Sequence, residues 1–116
     1  LQYGRVIRPW VGVSMQELTP QVAREFGVDR PGLDGVAIAG VRPGEPAEKA
    51  GLQRGDVVTQ ANGHRVPSVD DLRRIIRGLK PGDQLSLRGL RDNREQTWTV
   101  TLGEMPPLDE LRQENR

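Results

Sequence analysis

"GEPAEKAGLQRGDVVTQANGHRV", residues 44–66, places a helix, its stop, a strand and a turn in one short run. Pro46 suits the first turn of a helix, where its missing N–H costs nothing, and Gly51 ends that helix after one to two turns. Val57 to Ala61 then reads as a strand. It closes on Asn62-Gly63, the dipeptide best able to supply the positive φ angles of a tight hairpin.

The flanking sequence extends the pattern in both directions. Upstream, "DGVAIAGV" (34–41) is apolar on both faces and predicts a strand buried in a sheet. Thr19-Pro20 is a cap followed by proline at the first helical position, and Val22, Ala23 and Phe26 form a short apolar stripe that Gly27 ends. From Trp10 the chain alternates, with Val11, Val13 and Met15 on one side and Gly12 and Ser14 on the other. Glycine inside a strand marks a place where a ligand or another backbone comes close; an ordinary bulge accounts for Gly12 equally well. Downstream, Ser68 with Asp71 resembles a capping box, aspartate replacing the usual Glu or Gln. Val69, Leu72, Ile75, Ile76 and Leu79 recur at helical spacing until Lys80-Pro81-Gly82. Leu85/Leu87 and Trp98/Val100/Leu102 then predict a final hairpin through Asp92-Asn93-Arg94. The pattern is an α+β domain: five or six short strands in a half-open barrel or sandwich, with one longer and two short helices.

Composition limits what such a domain does. The 116 residues suit one domain, and with only four aromatic residues the core must be aliphatic. The absence of cysteine removes disulfides and thiolate chemistry. No apolar run reaches the roughly 18 residues of a membrane span, so direct membrane insertion is not expected. The chain starts at Leu1 and reads as a piece of a longer protein. With 17 basic and 16 acidic residues the net charge is +1, too balanced for electrostatically driven nucleic-acid binding, although Arg73, Arg74 and Arg77 cluster on the longer helix.

Catalytic patterns are missing. His64, the sole histidine, follows the Asn62-Gly63 turn with no nucleophile in context, and Ser14, Ser68 and Ser86 have structural places in strands or a cap. Asp70/Asp71 and Asp109/Glu110 are adjacent pairs that need not converge. The glycines match neither common phosphate-binding pattern. No catalytic residue, metal site or cofactor is expected.

A binding site is expected instead. Arg8-Pro9-Trp10-Val11-Gly12-Val13 combines a proline-bent loop, cationic side chains and a glycine-containing strand start, so successive N–H groups can form an anion-binding nest. An extended peptide adding to the strand's edge can seat its terminal carboxylate there.

These residues carry a family resemblance. "WVGV" resembles the carboxylate-binding loop of PDZ domains, and residues 44–66 are similar to their most recognisable internal segment. The element order resembles the permuted bacterial type, and "YGRVIRPWVGV" resembles the junction before the first PDZ domain of HtrA-family, trypsin-like serine proteases. The resemblance implies that the N–H groups of Val11, Gly12 and Val13 hold a peptide carboxylate, with Arg8 and Arg5 adding positive potential, and that a side chain at position 12 crowds the incoming terminus. It implies a pocket for an apolar last side chain formed by Val11, Val13, Met15 and Ile76, with Leu72 behind. Val69 and Arg73 would face the residue two before the end. Val11, Met15 and Ile76 would serve equally well as core. Arg54, Gly55, Asp56, Asn62 and Gly63 are family hallmarks with turn and backbone-support roles.

The implied organisation is a linker at 1–8, a PDZ domain at 9–103 and a charged tail at 104–116. The implied role is a regulatory PDZ domain that captures hydrophobic C-termini, is monomeric alone, is itself without proteolytic activity, and reports to a protease domain of its parent in a periplasmic or other extracytoplasmic setting. Two alternatives stay open: an assembly domain with an occluded groove, and a PDZ domain of another bacterial protease or secretion component.

Overall fold

The computed structural model describes residues 8–106; Arg5 and most of the expected linker and tail lie outside the described residues. Strands β1 (Pro9–Trp10), β2 (Val13–Glu17), β3 (Val36–Val41), β4 (Val57–Ala61), β5 (His64–Arg65), β6 (Gln84–Arg91), β7 (Arg94–Thr101) and β8 (Gly103–Glu104) alternate with helices α1 (Pro20–Glu25), α2 (Pro46–Lys49) and α3 (Val69–Arg77). The main sheet is antiparallel and open, in the order β2-β3-β4-β6-β7 with β5 against β4, while β1 and β8 pair separately. The α+β class, the open sheet and the one longer and two short helices agree with the sequence reading.

Local chemistry explains the boundaries. Thr19 Oγ1 accepts from the Val22 N–H at 3.1 Å and starts α1. Ser68 Oγ accepts from the Asp71 N–H at 3.2 Å and donates to Asp71 Oδ2 at 2.7 Å, so the shorter aspartate closes the cap through the hydroxyl. Asn62 (φ 49°) and Gly63 (φ 81°) turn the chain so that Ala61 faces His64. Asn62 Oδ1 also accepts from the Ser86 N–H at 2.8 Å, binding the turn to β6.

Val36, Ile38, Val58, Leu85 and Val100 form the centre of the main core, with Val69 and Leu72 of α3 packed into it. Full burial of an aliphatic side chain of this size stabilises by about 1.5–3 kcal/mol. A smaller cluster of Val28, Val57 and Leu90 sits under α1. Asp56, 1% exposed, holds the Arg91 guanidinium with both oxygens at 2.8 Å and accepts from the Gln53 N–H. The hydrogen bond that Arg91 donates to Asp56 is the main cause holding the Arg91 pKa above its ordinary value. The hallmark aspartate therefore braces the segment between α2 and β4.

Three details depart from the sequence reading. The strand expected to run on from Trp10 breaks at Val11-Gly12, because Gly12 adopts φ +83° and carries the chain from the β1–β8 ladder to the main sheet. Helix α3 stops at Arg77 with Gly78 as its cap, leaving Leu79 beyond the helix. The expected tail begins inside the fold: Glu104 pairs with Pro9, and the Met105 N–H donates to the Arg8 carbonyl at 2.9 Å.

Candidate functional site

The loop between β1 and β2 is held from behind. Ala47 N–H, at the start of α2, donates to the Val11 carbonyl at 2.9 Å, and Arg42 N–H donates to the Gly12 carbonyl at 2.9 Å. In a trans peptide unit the C=O and the following N–H point in opposite directions. Tying both carbonyls backwards therefore turns the N–H groups of Gly12 and Val13 outwards. The ladder to β3 agrees: with Arg42 bonded to Gly12, Val13↔Val41 is a non-hydrogen-bonded pair, so the Val13 N–H faces the free edge of β2. Among the described residues, the N–H groups of Val11 and Gly12 have no acceptor.

Gly12 is required here for a reason different from the expected one. A Cβ at this position would lie 2.5 Å from Glu45 Cβ and 3.1 Å from Glu45 Cγ. The side chain excluded at position 12 thus collides with the domain's own Glu45 behind the loop, which corrects the expectation of crowding against an incoming terminus. Glu45 Oε2 in turn accepts from Trp10 Nε1 at 2.8 Å, and the Arg42 guanidinium lies over the Trp10 ring, 5.8 Å from its centroid. Loop, indole and carboxylate form one braced unit.

In front of the loop, between the free edge of β2 and α3, lies a cleft of about 700 Å³. It brings together Arg8, Val11, Gly12, Val13, Met15, Arg73 and Ile76, all expected site residues. Val69 and Leu72 are not in its lining; they are 6% and 2% exposed and belong to the core. Val69 meets the site through its backbone instead, donating its N–H to Glu17 Oε1 at 3.0 Å across the gap between α3 and β2. The cleft also gains Trp10, Arg77, Leu79 and Met105, which the sequence reading did not assign to it. Arg77 follows Arg73 by one helical turn, a spacing legible in the sequence. Leu79 continues the apolar stripe of Ile76 past the early helix end, while Met105 arrives through the β1–β8 ladder, which no local pattern announces.

The chemistry is one-sided. Arg8, Arg73 and Arg77 rim an otherwise mainly apolar hollow, and no acidic side chain is in its lining among the described residues. An apolar group beside an anion fits this arrangement. His64 is exposed in its turn, and the described residues contain no cluster of metal-ligating side chains.

Comparison with known proteins places this geometry in context. The family model for the PDZ domain matches residues 9–102. A probable periplasmic serine endoprotease, DegP-like, of Ectopseudomonas mendocina is 40% identical over 89% of this chain and 21% of that protein. Its counterpart in Pseudomonas savastanoi pv. phaseolicola is 42% identical over the same shares. The chain thus spans about a fifth of the length of the curated relatives it matches. Among solved structures, the HtrA-type protease AlgW with decapeptide superposes with a TM-score of 0.81 at 30% identity, covering 91% of this chain and 32% of that one. The HtrA3 PDZ domain bound to a phage-derived ligand shares the fold, with a TM-score of 0.71 at 22% identity over 86% of this chain and 89% of that one.

Proposed function

The chain belongs to the PDZ domain family, and on that premise we propose that its cleft captures the free carboxyl terminus of a polypeptide ending in an apolar residue. The observation that carries this reading is the outward set of the Gly12 and Val13 N–H groups beside the cleft, with the Val11 N–H lacking an acceptor among the described residues. Each charge-assisted hydrogen bond contributes about 1.5–3 kcal/mol. Two or three of them supply much of the roughly 8 kcal/mol of a micromolar complex. The upstream part of the ligand adds to the free edge of β2 as a further strand, and its last side chain enters the hollow lined by Val13, Met15, Ile76 and Leu79.

The wider role follows from the relatives. We propose that the domain serves an HtrA-like periplasmic serine protease as its binding and regulatory part, with cleavage carried out elsewhere in that protein. The peptide named with AlgW supports a peptide ligand here. An open cleft favours capture over the alternative of an occluded assembly surface.

The test is a titration of the 116-residue chain with a peptide ending in Val or Leu beside its C-terminally amidated twin. A loss of tenfold or more on amidation is expected. Equal affinities would overturn the reading.

A further inference from the structure

We infer that Glu17 makes this domain prefer a Lys or Arg side chain four residues before the terminus it captures. The inference rests on the carboxylate-capture reading and adds to it a second, upstream contact of opposite charge.

The register follows from β2 itself. Val13 begins the strand at the carboxylate seat and Glu17 ends it, and at about 3.4 Å per residue the two lie roughly 14 Å apart. A peptide paired antiparallel to β2 sets its last residue beside Val13, its third-last beside Met15 and its fifth-last beside Glu17. Directly opposed residues on antiparallel strands project from the same face, within reach of each other. The irregularity in the β2–β3 ladder does not disturb this, because the unpaired residue, Ala39, lies on β3 and β2 keeps its alternation. Val13, Met15 and Glu17 therefore share a face, and Val13 and Met15 line the cleft.

Glu17 is also held in place. Its Oε1 accepts the Val69 N–H at 3.0 Å, which fixes the carboxylate at the far end of the groove. Its Oε2 has no partner among the described residues. The groove is consequently polarised, with Arg8, Arg73 and Arg77 lining the cleft and a fixed anion beyond them where the fifth-last side chain passes. A ligand with a free carboxylate and a basic side chain at that separation matches both ends.

The experiment titrates the full chain with heptapeptides that share their last three residues and carry Lys, Gln or Glu four before the end, each with an amidated twin. For the free-acid series at low salt, Lys is expected to bind about three- to tenfold more tightly than Glu, with Gln between. Glu17→Gln keeps a side-chain oxygen for the Val69 N–H and removes the charge, so the Lys-to-Glu ratio should fall towards one. If affinity needs the free carboxylate yet ignores the upstream residue, the inference is overturned and the capture reading stands. If the Lys preference survives Glu17→Gln, the assignment to Glu17 is overturned. If amidated and free peptides bind alike, the capture reading fails and takes this inference with it.

Discussion

Glu45 occupies the space that a side chain at position 12 would need, while its carboxylate holds Trp10 at the edge of the same cleft. The conformation of the binding loop is thus set from behind by a residue more than thirty positions along the chain. Gly12→Ala should cost about 1–3 kcal/mol for a left-handed backbone alone. The contact with Glu45 adds to this. Chemical denaturation of Gly12→Ala, of Glu45→Gly and of the pair separates the two effects: Glu45→Gly alone carries the loss of the Trp10 bond, and the amount by which the pair costs less than the sum of the singles gives the steric part.

The three arginines at the cleft rim should act through long-range attraction more than through contact. Arg73→Ala combined with Arg77→Ala is expected to weaken an apolar-ended free-acid peptide about three- to tenfold at low salt, mostly through slower association. The difference should shrink as salt rises and the Debye length falls below about 8 Å. Stopped-flow binding at two ionic strengths checks this.

Asp56 offers the opposite pattern, stability without recognition. Asp56→Ala removes the buried carboxylate that the half-buried Arg91 guanidinium and the Gln53 N–H share, while Arg91 keeps its bond to the Gly51 carbonyl. The expected loss is about 1–3 kcal/mol, measured by urea unfolding. At temperatures where the variant remains folded, peptide affinity should change by less than about twofold, because the aspartate lies outside the cleft lining.

Ending the chain at Gly103, the boundary expected from sequence, should damage the site more than its length suggests. The truncation removes the Glu104 partner of Pro9, the Met105 N–H bond to Arg8 and the Met105 side chain from the cleft. Peptide affinity is expected to fall about fivefold, the loss of one apolar wall and one backbone tether. A chain ending at Pro106 should bind like the full chain.

Much of the fold was legible because its punctuation is local. Thr19, Ser68 and Asn62-Gly63 each act within four residues, and the structure finds them capping or turning as their chemistry dictates. The loop that turns the Gly12 and Val13 N–H groups outwards was legible through its motif. The reason for Gly12 was not, since the obstacle is Glu45, brought up by a tertiary bond between the Ala47 N–H and the Val11 carbonyl. Val69 and Leu72 were assigned to the ligand through the family resemblance, Val69 facing the peptide and Leu72 behind the pocket. Which part of their apolar stripe faces the groove and which faces the core depends on how α3 is rolled against the sheet. Spacing alone does not contain that rotation.

The short β1–β8 ladder brings the incoming and outgoing chain together at Arg8 and Met105, and both residues line the cleft. A peptide seated in the cleft as proposed would bear on both short strands at once, and strain in either strand would reach it across two paired rungs and the Met105–Arg8 bond.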